Sequence, residues 1–196
     1  MTTLLLLRHG ETEANRGRRI QGQDDTPLTA TGIATITRVA DKLRDQGLDP
    51  EGLIRYCSPL PRARDTLQRL HDALSWQGHP ITYDERLQEI HFGDYTGRPV
   101  EEILPLIQHH KENSALAYPG GESGDDLKAR VMGFLGDVLG RHPEGNILVM
   151  THFGPIETAL RHYLGIPVSE RVWPAHDQVH RLVFSGTGTA PRVTTL

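Results

Sequence analysis

Hydrophobic positions along this chain fall into two alternating periods. Short apolar runs read as buried strands at Thr3–Arg8, Leu53–Cys57, Ile81–Tyr83, Ile147–Thr151 and Val179–Phe184. Between them lie stretches with helical spacing and clear punctuation. After Thr29, residues Ile33, Ile36, Ala40 and Leu43 share one face, and Gly47 ends the segment. Pro61 starts a second helix with Ala63, Leu67, Leu70 and Leu74 inward, ending near Gly78. Ser123 followed by Asp126 resembles a capping box and opens a helix that buries Leu127, Val131, Phe134 and Val138. Pro155 opens a last helix with Ile156, Ala159, Leu160 and Tyr163, closed by Gly165. Strand and helix in alternation predict an α/β three-layer sandwich, a mainly parallel central sheet with helices on both faces. Gly97 to Gly121, with Pro99, Pro105 and Pro119 and only a weak helical pattern, reads as a small irregular insertion over one edge of the sheet.

Length and composition narrow the class. The 196 residues suit one domain, and 37% hydrophobic with 23% charged residues is ordinary for a soluble globular protein. The longest apolar run, Leu4 to Leu7, is far short of a membrane span, and the N-terminus does not read as a signal peptide. Cys57 stands alone, which excludes an internal disulfide and a cysteine-based zinc site, so a cytoplasmic location is expected. A net charge of −4 argues against a broad nucleic-acid surface, and no membrane contact is expected. The 11 histidines invite a metal reading, but His109-His110 diverge on a helix, and the i, i+4 spacing of His176 and His180 falls where Val179 to Phe184 reads as a strand and not a helix. Scattered histidines and no metal are the expectation.

Chemistry concentrates in four segments, each at the end of an expected strand: Arg8-His9-Gly10-Glu11 with Asn15; Cys57-Ser58-Pro59-Leu60-Pro61-Arg62; Arg86 to Gly93, including Glu89; and Thr151-His152-Phe153-Gly154. In a parallel sheet such ends converge on one crevice. A guanidinium binds oxyanions in a bidentate fork, and an imidazole is a nucleophile or base, so Arg8 and His9 together suggest phosphate chemistry.

These segments resemble the histidine phosphatase superfamily, the phosphoglycerate-mutase-like proteins, and its small phosphatase branch. Arg8-His9-Gly10-Glu11-Thr12 resembles the family's signature. Gly22 to Thr29 with Gly32, Ser58-Pro59-Leu60 with Arg62-Ala63 and Thr66, Leu87-Gln88-Glu89 with Gly93-Asp94, Pro119 to Ser123, and Thr151 to Gly154 follow in order along the chain. The resemblance implies that His9 attacks phosphorus and carries it as phosphohistidine. Arg8, Arg62 and a protonated His152 surround the phosphoryl oxygens, and Glu89 is the general acid, with Glu85 and Glu11 as rivals. It implies no cofactor. Asn15, Gln21, Gly22, Arg19 and Phe153 are expected to bind phosphate or substrate. Asn15 could instead be a turn residue, Arg18 or Arg19 could meet a second anionic group, and the bulk of Phe153 could narrow the pocket.

The function that follows is metal-independent hydrolysis of a small phosphorylated metabolite. A phosphoglycerate mutase sharing the first half-reaction is the alternative, and a catalytically silent binding module is the remaining one. Gly97 to Pro119 is short for a mutase insertion, which favours hydrolysis. A homodimer is compatible with the sequence. Geometrically, His9 and His152 are expected nearly parallel across one pocket, within about 10 Å.

Overall fold

In the computed structural model, which describes residues 1–170, 172–186 and 190–196, the sheet has six strands in the order β3-β2-β4-β1-β5-β6. They are β1 (Thr2–Arg8), β2 (Leu53–Cys57), β3 (Thr82–Tyr83), β4 (Gly145–Thr151), β5 (Val179–Phe184) and β6 (Arg192–Thr195). The first four are mutually parallel, and β5 and β6 run antiparallel at one edge. The expected α/β sandwich with a mainly parallel sheet is present. Sequence reading did not find β6, whose mostly exposed Arg-Val-Thr-Thr has no apolar face to signal a strand.

Among the described residues the α-helices are α1 (Glu13–Arg16), α2 (Ala30–Arg44), α3 (Pro61–Leu74), α4 (Val100–Glu112), α5 (Gly124–Arg141) and α6 (Phe153–Leu164). Period-two alternation splits the strand side chains between two cores. Leu4, Leu6, Ile147 and Val149 pack against Leu127, Val131, Phe134 and Val138 of α5 and Ile156 and Leu160 of α6. Leu5, Leu7, Leu148 and Met150 pack against Ile36, Ala40 and Leu43 of α2 and Ala63, Leu67 and Leu70 of α3. Each buried leucine contributes about 1.5–3 kcal/mol.

Three sequence expectations change in detail. Ile33 is exposed, and Val39 takes the core position beside Ile36 and Leu43, because Ile33 stands off the axis of the buried face. Helix α6 starts at Phe153, two residues before Pro155, with His152 at its N-cap. The stretch Gly97 to Gly121 is not irregular throughout, since it contains the 13-residue α4. Glu101 and Glu102 in the first turn and His109, His110 and Lys111 in the last suit the helix dipole. Only Ile103 and His110 of α4 are buried, which is why its apolar pattern is weak, and Pro105 costs it one hydrogen bond. Helix α4 contributes Val100, Leu104, Ile107 and Lys111 to the wall of the main cavity. The Ser123–Asp126 capping box forms as expected.

Candidate active site

Strands β1, β2 and β4 end side by side, and the residues that follow them build the floor of a cavity of about 870 Å³. Arg8, His9, Arg62 and Glu89 all line it. Backbone bonds fix the floor: His9 N–H donates to Thr151 O at 3.0 Å, and Ser58 N–H to Met150 O at 2.9 Å.

His9 is 2% exposed. Its Nδ1 lies 2.8 Å from Gly10 O, an atom that can only accept, so Nδ1 carries the proton. Nε2 is therefore the lone-pair atom, and Arg62 Nε donates to it at 3.2 Å. Burial, then the neighbouring His152, Arg62, Arg8 and His176, hold the His9 pKa well below its ordinary value. A buried imidazole, neutral and with its lone pair turned to the cavity, is a nucleophile that needs no base.

Arg62 is buried at the start of α3 and is held on all sides. Its Nη1 donates to Asp24 O at 2.8 Å and its Nη2 to Gly22 O at 2.6 Å. Gly22 has φ +54°, a region that favours glycine, and this turn presents its carbonyl to Arg62. Arg8 Nη1 donates to Pro174 O at 3.0 Å, and its guanidinium lies over the Phe153 ring at 5.2 Å. Burial lowers the Arg8 pKa to about 10, which leaves it charged at neutral pH. Its Nε is buried without a hydrogen-bond partner among the described residues.

His152 is fully buried beside His9. The ring centroids are 5.1 Å apart, within the expected separation, but the rings are tilted by 55° instead of parallel. Different anchors explain the tilt: His9 is held by Gly10 and Arg62, and His152 Nε2 by Ser58 Oγ at 2.7 Å. The protonated form expected for His152 is opposed by its surroundings. Burial, Arg62, Arg8 and Arg130 depress its pKa well below the ordinary value, since its charged neighbours are cations. Its Nδ1 is buried with no partner among the described residues.

Glu89 lies across the floor, 9% exposed. Burial raises its pKa, against the opposing hydrogen bonds from Ile90 and Gly154 and the charges of Arg62 and Arg8. Its Oε1 accepts from Ile90 N–H at 2.9 Å and from Gly154 N–H at 3.0 Å. A Cβ on Gly154 would lie 2.4 Å from that oxygen, so only glycine permits the approach. Glu11 also lines the cavity, but its carboxylate accepts from Thr29 Oγ1 at 2.6 Å; Glu85 is not in the lining.

Asn15, Gln21, Gly22, Arg19 and Phe153 all line the cavity. Asn15 is also a turn residue: it completes a capping box with Thr12, whose N–H donates to Asn15 Oδ1 at 3.1 Å. That leaves its Nδ2 end for a ligand. Gln21 Oε1 accepts from the Thr12 hydroxyl at 2.9 Å. Arg19 is occupied by Gly97 O at 2.8 Å, and Arg18 by Glu101 at 2.7 Å.

Two residues of the site were not foreseen in this role. His176 packs its ring against His9 at 5.5 Å and its Nδ1 lies 2.5 Å from His9 O. Arg130 on α5 donates to the carbonyls of Arg86, Gln88 and Glu89 and pairs with Glu122 at 2.6 Å, fixing the Glu89 segment. Neither has a local sequence signal, because both reach the site only through tertiary packing. Among the described residues no group of three or more His, Cys, Asp or Glu could hold a metal, and no helix is long and apolar enough to cross a membrane.

The sequence pattern of the histidine phosphatase superfamily, branch 1, matches residues 4–196. The chain belongs to that superfamily. It is 32% identical over 165 residues to the uncharacterized phosphatase PhoE of Bacillus subtilis, covering 84% of this chain and 79% of that one. It is 31% identical over 172 residues to the probable phosphoglycerate mutase GpmB of Yersinia pestis, covering 85% and 77%. Its fold matches a mycobacterial glucosyl-3-phosphoglycerate phosphatase solved with VO3, with TM-score 0.80, 27% identity, and 98% and 96% of the two chains covered.

Proposed function

We propose that this superfamily member is a phosphomonoester hydrolase working through a phosphohistidine at His9. The observation that carries the reading is the lone pair of His9 Nε2 on the floor of the cavity, with Arg8, Arg62 and a Glu89 of raised pKa lining the same floor.

In the first half-reaction Nε2 attacks phosphorus, and the bond from phosphorus to the alcohol oxygen breaks. Glu89 gives its proton to that oxygen. The His9 ring keeps its Nδ1 proton on Gly10 O, which spreads the positive charge of the phosphorylated ring. Arg62 exchanges its bond to Nε2 for one to a phosphoryl oxygen, and Arg8 Nε offers a second donor. His152 need not be charged. If the Ser58 hydroxyl donates to Nε2, the neutral ring carries its proton on the unpartnered Nδ1 and offers it to an oxygen. In the second half-reaction water gives a proton to Glu89 and attacks phosphorus. The bond to Nε2 breaks and phosphate leaves.

The relative named as a probable mutase supports a second reading, in which the phosphoryl group returns to a bound sugar acid. Purified protein is incubated with phosphomonoesters in the presence of EDTA, and phosphate release is followed. Release from several esters without a phosphoryl acceptor is expected. Interconversion of phosphoglycerates without phosphate release favours the mutase, and neither activity favours a binding module.

A further inference from the structure

We infer that the outer cavity takes the alcohol part of a phosphomonoester whose alcohol bears an apolar ring and no second anionic group. This rests on the hydrolase reading and adds the substrate class.

Two observations carry it. The first is the accounting of charge in the outer wall. Lys111 pairs with both oxygens of Glu157, at 2.8 and 2.9 Å. Arg161 pairs with Glu157 at 2.9 Å and also donates to the carbonyls of Pro167 and Glu170. Arg18 is paired with Glu101, and Arg19 with Gly97 O. Lys128 is exposed at the rim, one helical turn from Asp125, which also lines the cavity. At Lys111, Arg161 and Arg18 a distal carboxylate or second phosphate would therefore have to compete with an existing ion pair, while Arg19 holds a neutral carbonyl and Lys128 stands apart at the rim. The floor differs, because Arg8 Nε has no partner among the described residues.

The second observation is where apolar side chains are left wet. Trp173 is 71% exposed, Leu104 54% and Val168 42%, and all three line this cavity. Trp173 meets Phe153 edge to face at 5.3 Å, and Phe153 in turn lies under Arg8. The Trp173–Phe153 pair thus links the exposed wall to the phosphate floor, with Lys111 Nζ over the Phe153 ring at 5.9 Å. A phosphate on the floor delivers its alcohol group into this wall, and an aromatic ring satisfies the tilted Phe153 and Trp173 rings best.

The test uses esters whose leaving alcohols are all aliphatic: 2-phenylethyl phosphate, glycerol 3-phosphate and 3-phosphoglycerate. The expected kcat/KM for 2-phenylethyl phosphate exceeds the other two by about tenfold or more. Trp173→Ala and Leu104→Ala each reduce that preference several-fold, chiefly through KM. Ile33→Ala, an exposed apolar position on α2 that does not line the cavity, leaves the preference as it is. Equal kcat/KM for the three esters, or a preference for 3-phosphoglycerate, overturns the inference while leaving the hydrolase reading intact. So does a preference that survives in both cavity variants. No hydrolysis of any ester overturns both.

Discussion

The floor and the wall of the cavity are built by different rules. The floor is polar, buried and over-determined: Arg62 alone donates to His9, Asp24 and Gly22, and Glu89 accepts from two backbone amides. The wall comes from α4, α6 and the stretch around Trp173, and it leaves large apolar side chains in water. Reaction chemistry needs groups fixed before substrate arrives, and strand ends in a packed sheet supply that rigidity. Selection among substrates needs a surface free to vary, and loops and a lightly buried helix supply that. Substitutions in the floor should therefore cost rate, and those in the wall should change preference.

The sharpest way to break this contrast is to remove the nucleophile. His9→Ala should lower kcat by about 10⁴-fold or more while the protein still folds. Acid quenching with a labelled ester should trap phosphate on the wild type and none on the variant. Label on His152 in the wild type would reverse the assignment of the two histidines.

Glu89 comes next, because its place depends on a missing side chain. Gly154→Ala should push the carboxylate off its two amides and cost about 10²-fold on glycerol 3-phosphate. The cost on p-nitrophenyl phosphate, whose leaving group scarcely needs a proton, should be much smaller. The pH dependence follows from the two shifts. Free Glu and His, at about 4.3 and 6.5, would leave almost no pH at which Glu is protonated and His neutral. Burial raises Glu89 and depresses His9, which widens that window. The rate on glycerol 3-phosphate should fall on the alkaline side as Glu89 loses its proton, and on the acid side as His9 gains one. Glu89→Gln should be slow and lose the alkaline limb; an unchanged limb would move the acid role elsewhere.

A smaller effect tests how His152 is used. Ser58→Ala removes the partner of Nε2 and frees the choice of tautomer. A loss on the order of tenfold in kcat is expected, with KM little changed. If His152 acts as a cation instead, the variant should raise KM, most strongly at high pH.

What the sequence made legible follows the same division. Each floor segment sits where an apolar run stops, so Arg8-His9, Ser58 to Arg62 and Thr151-His152 could be read at strand ends. The cores were readable for the same reason, and β2 and β5 start and end where the periodicity does. The wall was readable only in part: Phe153 and the Gly97–Gly121 stretch were expected near substrate, but the helix in that stretch was not. Helix α4 buries too little to show a period, and Pro105 argues against it. His176 reaches His9 from the stretch before β5, and Arg130 reaches the Glu89 carbonyl from the next layer. The electrostatic setting of His152 was not legible either, because burial and the neighbouring arginines, which oppose its charged form, come together only through tertiary packing.

The smallest effect is expected where sequence invited a large one. Arg18 lies in a basic cluster just past the nucleophile and lines the cavity, which suits a contact to a second substrate anion. The structure pairs it with Glu101 in an exposed bridge, worth under about 1 kcal/mol. It also holds Arg18 at φ +52°, a conformation that costs an L residue on the order of 1 kcal/mol and glycine almost nothing. Arg18→Gly loses the bridge and relieves the backbone, while the unfolded chain gains freedom that opposes the relief. These terms nearly cancel, so stability measured by urea unfolding should change by less than about 0.5 kcal/mol. Turnover of 2-phenylethyl phosphate should stay within about twofold, since nothing on an apolar alcohol would meet the guanidinium. A tenfold loss confined to esters with a second anion would place Arg18 in substrate recognition, and would show that the wall selects by charge as the floor does.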